Sequence, residues 1–132
     1  MASRMGTGRP VCDDENVTTV LIVDDHPTFR ATARAVLEAE GFEVVGEAND
    51  GESAIQAVAE LDPDVVLLDV QLPDLSGFEV ASRLTGNGSP RRVVLVSSRD
   101  GADYGPLVEE SGALGFVPKA ELSGARIAAL LE

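Results

Sequence analysis

Asp24 and Asp25 follow the run Val20-Leu21-Ile22-Val23, and Asp69 closes Val65-Val66-Leu67-Leu68. Ser97 closes Val93-Val94-Leu95-Val96, and Lys119 follows Gly115-Phe116-Val117-Pro118. Each apolar run is short, branched and followed by a polar group, the pattern of a strand buried on both faces. In an open parallel sheet all strand carboxyl ends lie on one edge, and ligands bind in the crevice there. These residues, far apart in the chain, are therefore expected to converge on one pocket. A carboxylate cluster, a hydroxyl and an ammonium together suit the binding of a divalent cation and the receipt of a phosphoryl group.

Each group also has a plainer reading. An acidic pair after a strand can sit at a helix N-terminus, where anions suit the dipole. A serine at a strand end is an ordinary helix cap, and a lysine there is usually solvated. The chemical reading gains its weight from all of them falling at strand ends together.

The elements that must position these residues alternate from Val20 onward. A first helix starts near Pro27, a good first-turn residue, with the apolar stripe Phe29, Ala33, Val36, Leu37 and a stop at Gly41. The second strand is Glu43 to Ala48. The second helix follows Asp50-Gly51, carries Ala54, Ala57, Val58 and Leu61 on one face, and ends at Asp62-Pro63. The third strand is Asp64 to Asp69, and Leu72-Pro73-Asp74 makes a loop. Ser76 and Glu79 match a capping box opening a third helix, with Val80, Ala81 and Leu84 inward. The fourth strand is Arg92 to Ser97. Gly101 and Gly105-Pro106 interrupt the fourth helix. The fifth strand is Gly115 to Val117, and the fifth helix runs from about Leu122 to Leu131. Five strands alternating with five helices predict an α/β fold, a parallel sheet covered on both sides.

The chain has 132 residues, room for one domain with one core. The expected division is a disordered leader over residues 1–18 and a single domain over 19–132. Asp13-Asp14-Glu15 lies in that leader, where no strand fixes its geometry. No apolar run is long enough to cross a bilayer and no secretory signal opens the chain, so the expected location is cytoplasmic. Cys12 is the single cysteine and permits no internal disulfide. A formal net charge of −13 argues against direct nucleic-acid binding by this chain, because phosphate backbones select basic patches.

Val23-Asp24-Asp25-His26-Pro27, the stretch Leu67-Leu68-Asp69-Val70-Gln71-Leu72-Pro73-Asp74, Ser97 and Pro118-Lys119 resemble a receiver domain of bacterial two-component response regulators. The resemblance covers about Thr19 to Glu132. The Asp-Asp-His-Pro start and Lys119-Ala120-Glu121-Leu122 look most like receivers of LuxR-type (NarL/FixJ-like) regulators. It implies a flavodoxin-like (βα)5 doubly wound sheet of strand order 2-1-3-4-5.

The resemblance implies that Asp69 is the phosphoacceptor, with Mg2+ (or Mn2+) held by Asp25, Asp69 and the backbone carbonyl of Gln71, and by Asp24 through bound water. It implies that Lys119 pairs with Asp69 and then with the phosphoryl group. Ser97 would bond that group, and Phe116 would follow as the aromatic switch, by packing alone because it lacks a hydroxyl. Ser98 would line the site through its amide. Gln71 and Arg99, each two residues past a site residue, would govern access of water and the lifetime of the acyl phosphate. His26 reads as a surface residue.

The implied partners are a sensor histidine kinase, a downstream protein or output domain, and a second copy in a phosphorylation-dependent homodimer, with no membrane and no direct nucleic acid. The signalling face would be the fourth helix, fifth strand and fifth helix. Many receivers carry proline after the lysine; here Ala120 stands there, and a trans peptide is expected. An interaction module that works without phosphorylation is the alternative, although it would have no use for the full set of site residues. A haloacid-dehalogenase-type phosphatase places a second aspartate two residues after its nucleophile, where this chain has Gln71.

Overall fold

The computed structural model describes residues 17–86, 92–98 and 104–131. Most of the expected leader, with Cys12 and Asp13-Asp14-Glu15, lies outside the described residues, as do Arg99 and Gly101. The strands are β1 (Thr19–Val23), β2 (Glu43–Ala48), β3 (Val65–Asp69), β4 (Arg92–Ser97) and β5 (Gly115–Pro118). The helices are α1 (Pro27–Ala39), α2 (Gly51–Leu61), α3 (Gly77–Thr85), α4 (Leu107–Glu110) and α5 (Gly124–Leu131). The strands form one five-stranded sheet of order β2-β1-β3-β4-β5, paired in parallel throughout. No helix among the described residues is long and apolar enough to cross a membrane.

Side chains alternate across a strand, so a strand buried on both faces must be apolar at every position. The core divides accordingly. Leu21, Val23, Val66, Leu68, Val93 and Leu95 pack with Ala54 and Val58 of α2 and Val80, Ala81 and Leu84 of α3. Val20, Ile22, Val65, Leu67, Val94 and Val96 pack on the other face with Ala33 and Leu37 of α1 and Ile127 of α5. Fully burying one such aliphatic side chain contributes about 1.5–3 kcal/mol.

Local signals set the helix ends. Pro27 opens α1, and Gly41 closes it with φ 99°, the left-handed conformation that glycine adopts without strain. The Asp50 carboxylate accepts from the Ser53 amide at 2.8 Å, capping α2. Ser76 Oγ accepts from the Glu79 amide at 3.1 Å. The Glu79 carboxylate pairs with Arg83 at 2.7 Å, so Glu79 serves a surface ion pair one turn on.

Several elements differ in extent from the expectation: β1 starts one residue earlier, at Thr19, and β3 one residue later, at Val65. α4 has only four residues, because Gly105 takes φ 56° and Pro106 restricts the chain until Leu107. β5 extends to Pro118, and α5 begins at Gly124 because Lys119–Glu121 form a 3-10 turn between them. No cis peptide bond occurs among the described residues, so Lys119–Ala120 is trans.

One feature of the β1–β2 pairing has no evident sequence signal. Val20 faces Val44 but Leu21 faces Gly46, a β-bulge that places one extra residue in β2. Past the bulge the ladder carries on beyond β1, and the Asp24 amide donates to the Ala48 carbonyl at 3.0 Å. That bond sets the backbone of the first candidate site residue.

Candidate functional site

The carboxyl edge of the sheet gathers Asp24 from the end of β1, Asp69 from β3, Ser97 from β4 and Lys119 after β5. Asp24 is fully buried and Asp69 is 4 % exposed, while Asp25 lies at the mouth. Asp24 Oδ1 accepts from the His26 amide at 2.8 Å, and the guanidinium of Arg30 donates to the Asp24 carbonyl at 2.6 Å. His26 is largely exposed, as expected, yet its Nδ1 lies 3.1 Å from both the Asp24 and Asp25 carboxylates.

Lys119 reaches into this group with Nζ 2.6 Å from Asp24 Oδ2 and 3.5 Å from Asp69 Oδ2. The resemblance pairs Lys119 with Asp69; here its nearer partner is Asp24. The ammonium also sits 4.5 Å from the centre of the Phe29 ring, a cation–π contact from α1. The Gln71 amide donates to Asp69 Oδ1 at 3.3 Å. Burial, and next the charge of Asp24, push the Asp69 carboxyl up to about 6, against the opposing pull of Lys119 and the Gln71 amide.

Asp24, Asp25, His26 and Asp69 each offer a ligand atom, all within 4.8 Å of one another. Three are carboxylates, the donors that a hard divalent cation prefers. Asp24 Oδ2 is buried and makes no directed hydrogen bond; its short approach to Lys119 is a charge contact that lacks hydrogen-bond angles. A buried carboxylate oxygen with an unused lone pair, beside an acid whose charged form is disfavoured, fits a site for a divalent cation.

Glycine is required at one place behind the acids. A β-carbon on Gly77 would overlap the Asp69 backbone oxygen and lie 2.7 Å from Val70 Cα. The Gly77 amide donates to the Val70 carbonyl at 2.6 Å, so the start of α3 is pressed onto the backbone carrying Asp69. Gly77→Ala is expected to cost about 1–3 kcal/mol, the usual range for overpacking, and to shift the Asp69 backbone. Urea denaturation measures the first and the Asp69 and Val70 amide shifts the second; an unchanged midpoint with unchanged shifts contradicts the expectation.

Ser97 is 1 % exposed, and its Oγ lies 2.7 Å from the hydroxyl of Tyr104. Tyr104, missed in the sequence reading, sits between two rings: Phe78 of α3 edge-on at 5.2 Å and Phe116 of β5 tilted at 5.7 Å. Phe116 packs against the Tyr104 ring and offers no hydroxyl, and the aromatic hydroxyl that reaches Ser97 comes from the approach to α4. Only the identity of Tyr104 as the single tyrosine could have drawn attention to it. Gln71 and Ser98 are exposed beside the pocket, and Gln71 bridges to Ser76.

The chain matches the family described as the response regulator receiver domain over residues 20–131. It is 41 % identical over 102 residues to the virulence-factor transcription regulator BvgA of Bordetella pertussis, an alignment covering 77 % of this chain and 49 % of that protein. It spans about half the length of the curated relatives it matches. Among solved structures, the signal receiver domain of a NarL response regulator from Mycobacterium tuberculosis superposes with TM-score 0.77 at 32 % identity, covering 87 % of this chain and 97 % of that one. The beryllofluoride-activated receiver domain of RstA from Klebsiella pneumoniae gives TM-score 0.76 at 29 % identity, covering 86 % and 96 %.

Proposed function

The chain belongs to the response regulator receiver family, and we propose that its chemistry is the acceptance of a phosphoryl group on Asp69 from a phosphohistidine of a sensor kinase. The observation that carries the residue assignment is the position of Asp69, buried beside Asp24 with Lys119 3.5 Å from its Oδ2. In the transfer an Asp69 oxygen attacks phosphorus, a P–O bond forms and the P–N bond to the donor imidazole breaks. The imidazole departs with a proton from solvent, leaving an acyl phosphate on Asp69.

Asp24, Asp25 and Asp69, with the Gln71 carbonyl, would hold Mg2+. A bound Mg2+ supplies charge neutralisation for both the carboxylate and the phosphoryl oxygens. Lys119 brings a fixed positive charge to the same oxygens, and its contact with Phe29 limits where that charge can move. The Gln71 amide orients Asp69 Oδ1. Ser97 stands at the end of the neighbouring strand with a hydroxyl that can donate to a phosphoryl oxygen. The short α4, β5 and α5 form the face proposed to pass the change on, to an output domain or to a second copy. The curated relatives named as transcription regulators support that output.

Incubation with acetyl phosphate and Mg2+, read by intact-mass spectrometry, tests the assignment. A single phosphoryl gain is expected in the native chain, absent in Asp69→Asn and absent with EDTA. A gain that persists in folded Asp69→Asn would place the acceptor elsewhere. No gain in the native chain, from acetyl phosphate or from a phosphorylated kinase, would leave an interaction module.

A further inference from the structure

The hydroxyl of Ser97 holds one proton, and in this structure Ser97 shares a hydrogen bond with Tyr104 at 2.7 Å. A phosphoryl group on Asp69 presents only acceptor oxygens, so a bond to it requires Ser97 to donate. Ser97 can then keep Tyr104 as a partner only with the phenol as donor; otherwise the contact is given up. Either hydroxyl can be the donor in the resting contact. A lost or reversed bond alters the phenol directly, and a phenol that already donates is polarised further once Ser97 donates onward.

Tyr104 is well placed to transmit that change. Its ring is held between Phe78 of α3 and Phe116 of β5, and α4 starts three residues later at Leu107. Thr85 Oγ1, at the end of α3, shares its one proton between the Ala81 carbonyl at 2.9 Å and the Ser111 carbonyl at 3.2 Å, just past α4. The far end of α4 is thereby tied to α3, while its near end is tied to Ser97 through Tyr104. A change in the phenol's bonding thus acts on one end of a short helix whose other end is anchored. Phe116 cannot play this part, since it offers Ser97 no hydrogen bond.

We infer that Tyr104 is the positioning residue that holds Ser97 in the resting protein and couples phosphoryl arrival at Asp69 to the start of α4. The inference rests on Asp69 as phosphoacceptor. It assigns to an aromatic before α4 the polar half of a coupling in which Phe116 contributes packing alone.

The chain contains one tyrosine and no tryptophan, so Tyr104 can be observed by itself. The experiment uses the full chain labelled with 13C at the tyrosine Cζ, with Mg2+ and acetyl phosphate added and the phosphoryl gain verified by intact mass on the same sample. The expected result is a shift of the Cζ resonance in step with phosphorylation, together with shifts of the Leu107–Glu110 amides. Tyr104→Phe preserves the ring between Phe78 and Phe116. It should still gain the phosphoryl group but lose the phosphorylation-dependent shifts of Leu107–Glu110.

Verified phosphorylation with an unmoved Cζ resonance overturns the inference and leaves the function standing. Leu107–Glu110 shifts in phosphorylated Tyr104→Phe equal to those of the native chain overturn it as well. Failure of the native chain to gain the phosphoryl group, from acetyl phosphate or from a phosphorylated kinase, removes both readings.

Discussion

Asp69→Asn is expected to stabilise the metal-free protein near neutral pH, by up to about 3 kcal/mol. The Asp69 carboxyl is raised from an ordinary 3.8 to about 6 by burial and by Asp24. Above pH 6 the group is charged in both folded and unfolded chains, and the folded chain bears the full cost of that charge. Between about 6 and 3.8 the folded chain takes up the proton first, so the cost fades as pH falls. Below 3.8 both forms are neutral and the penalty is gone. The contacts to Lys119 and to the Gln71 amide, long at 3.5 and 3.3 Å, offset only part of the burial cost, and that offset is already contained in the net rise.

Urea denaturation in EDTA across this pH range measures the effect. The advantage of Asp69→Asn should shrink as pH falls, and equal or lower stability of the variant above pH 7 would contradict the account. Mg2+ should narrow or reverse the order, because a ligand that binds only the folded state stabilises it by mass action and the native chain retains all three carboxylates. A site that gives up stability in its resting state while holding unused ligand atoms is poised for a cation and for the chemistry the cation permits.

Lys119→Met is expected to destabilise the metal-free protein by about 3 kcal/mol, the lower end of the cost of removing one partner from a buried ion pair. Asp24 has no exposed surface and lies 2.6 Å from the Lys119 ammonium. Without that ammonium its carboxylate retains the His26 amide and imidazole as donors on Oδ1, and Oδ2 has no hydrogen bond to fall back on. The second variant Asp24→Asn, combined with Lys119→Met, should recover part of the loss, because the buried charge is then gone. A double-mutant cycle by urea denaturation reads the coupling directly. Strictly additive effects would show that the two charges do not depend on each other. Saturating Mg2+ should lessen the penalty of Lys119→Met, since a divalent charge then compensates the same oxygens.

Most of the framework was legible because its signals are local. Val20–Val23, Val65–Leu68 and Val93–Val96 are continuous apolar runs, and Pro27, Gly41, Asp50 and Ser76 mark helix ends by their own backbone and side-chain chemistry. The same locality explains the misses. Asp74 reads as a loop residue, yet its carboxylate accepts from the Gly51 and Glu52 amides at 2.8 and 3.0 Å and caps α2 across the fold. Those bonds hold the Asp74 carboxyl below the usual range. α4 was expected only as an interrupted helix, and its four residues reflect Gly105 and Pro106 more strictly than periodicity suggests.

By itself the sequence determined which residues reach the carboxyl edge, because strand ends and a parallel sheet follow from apolar runs and their spacing. It determined the kinds of polar group present there: carboxylates, a hydroxyl and an ammonium. Only the tertiary structure decided how those groups pair. The β2 bulge places the Asp24 amide on Ala48, Lys119 falls nearer Asp24 than Asp69, and Tyr104 reaches Ser97 from three residues before α4. The reason is physical: burial pattern is set along each segment, whereas a hydrogen bond or ion pair turns on differences of an ångström between segments brought together by packing.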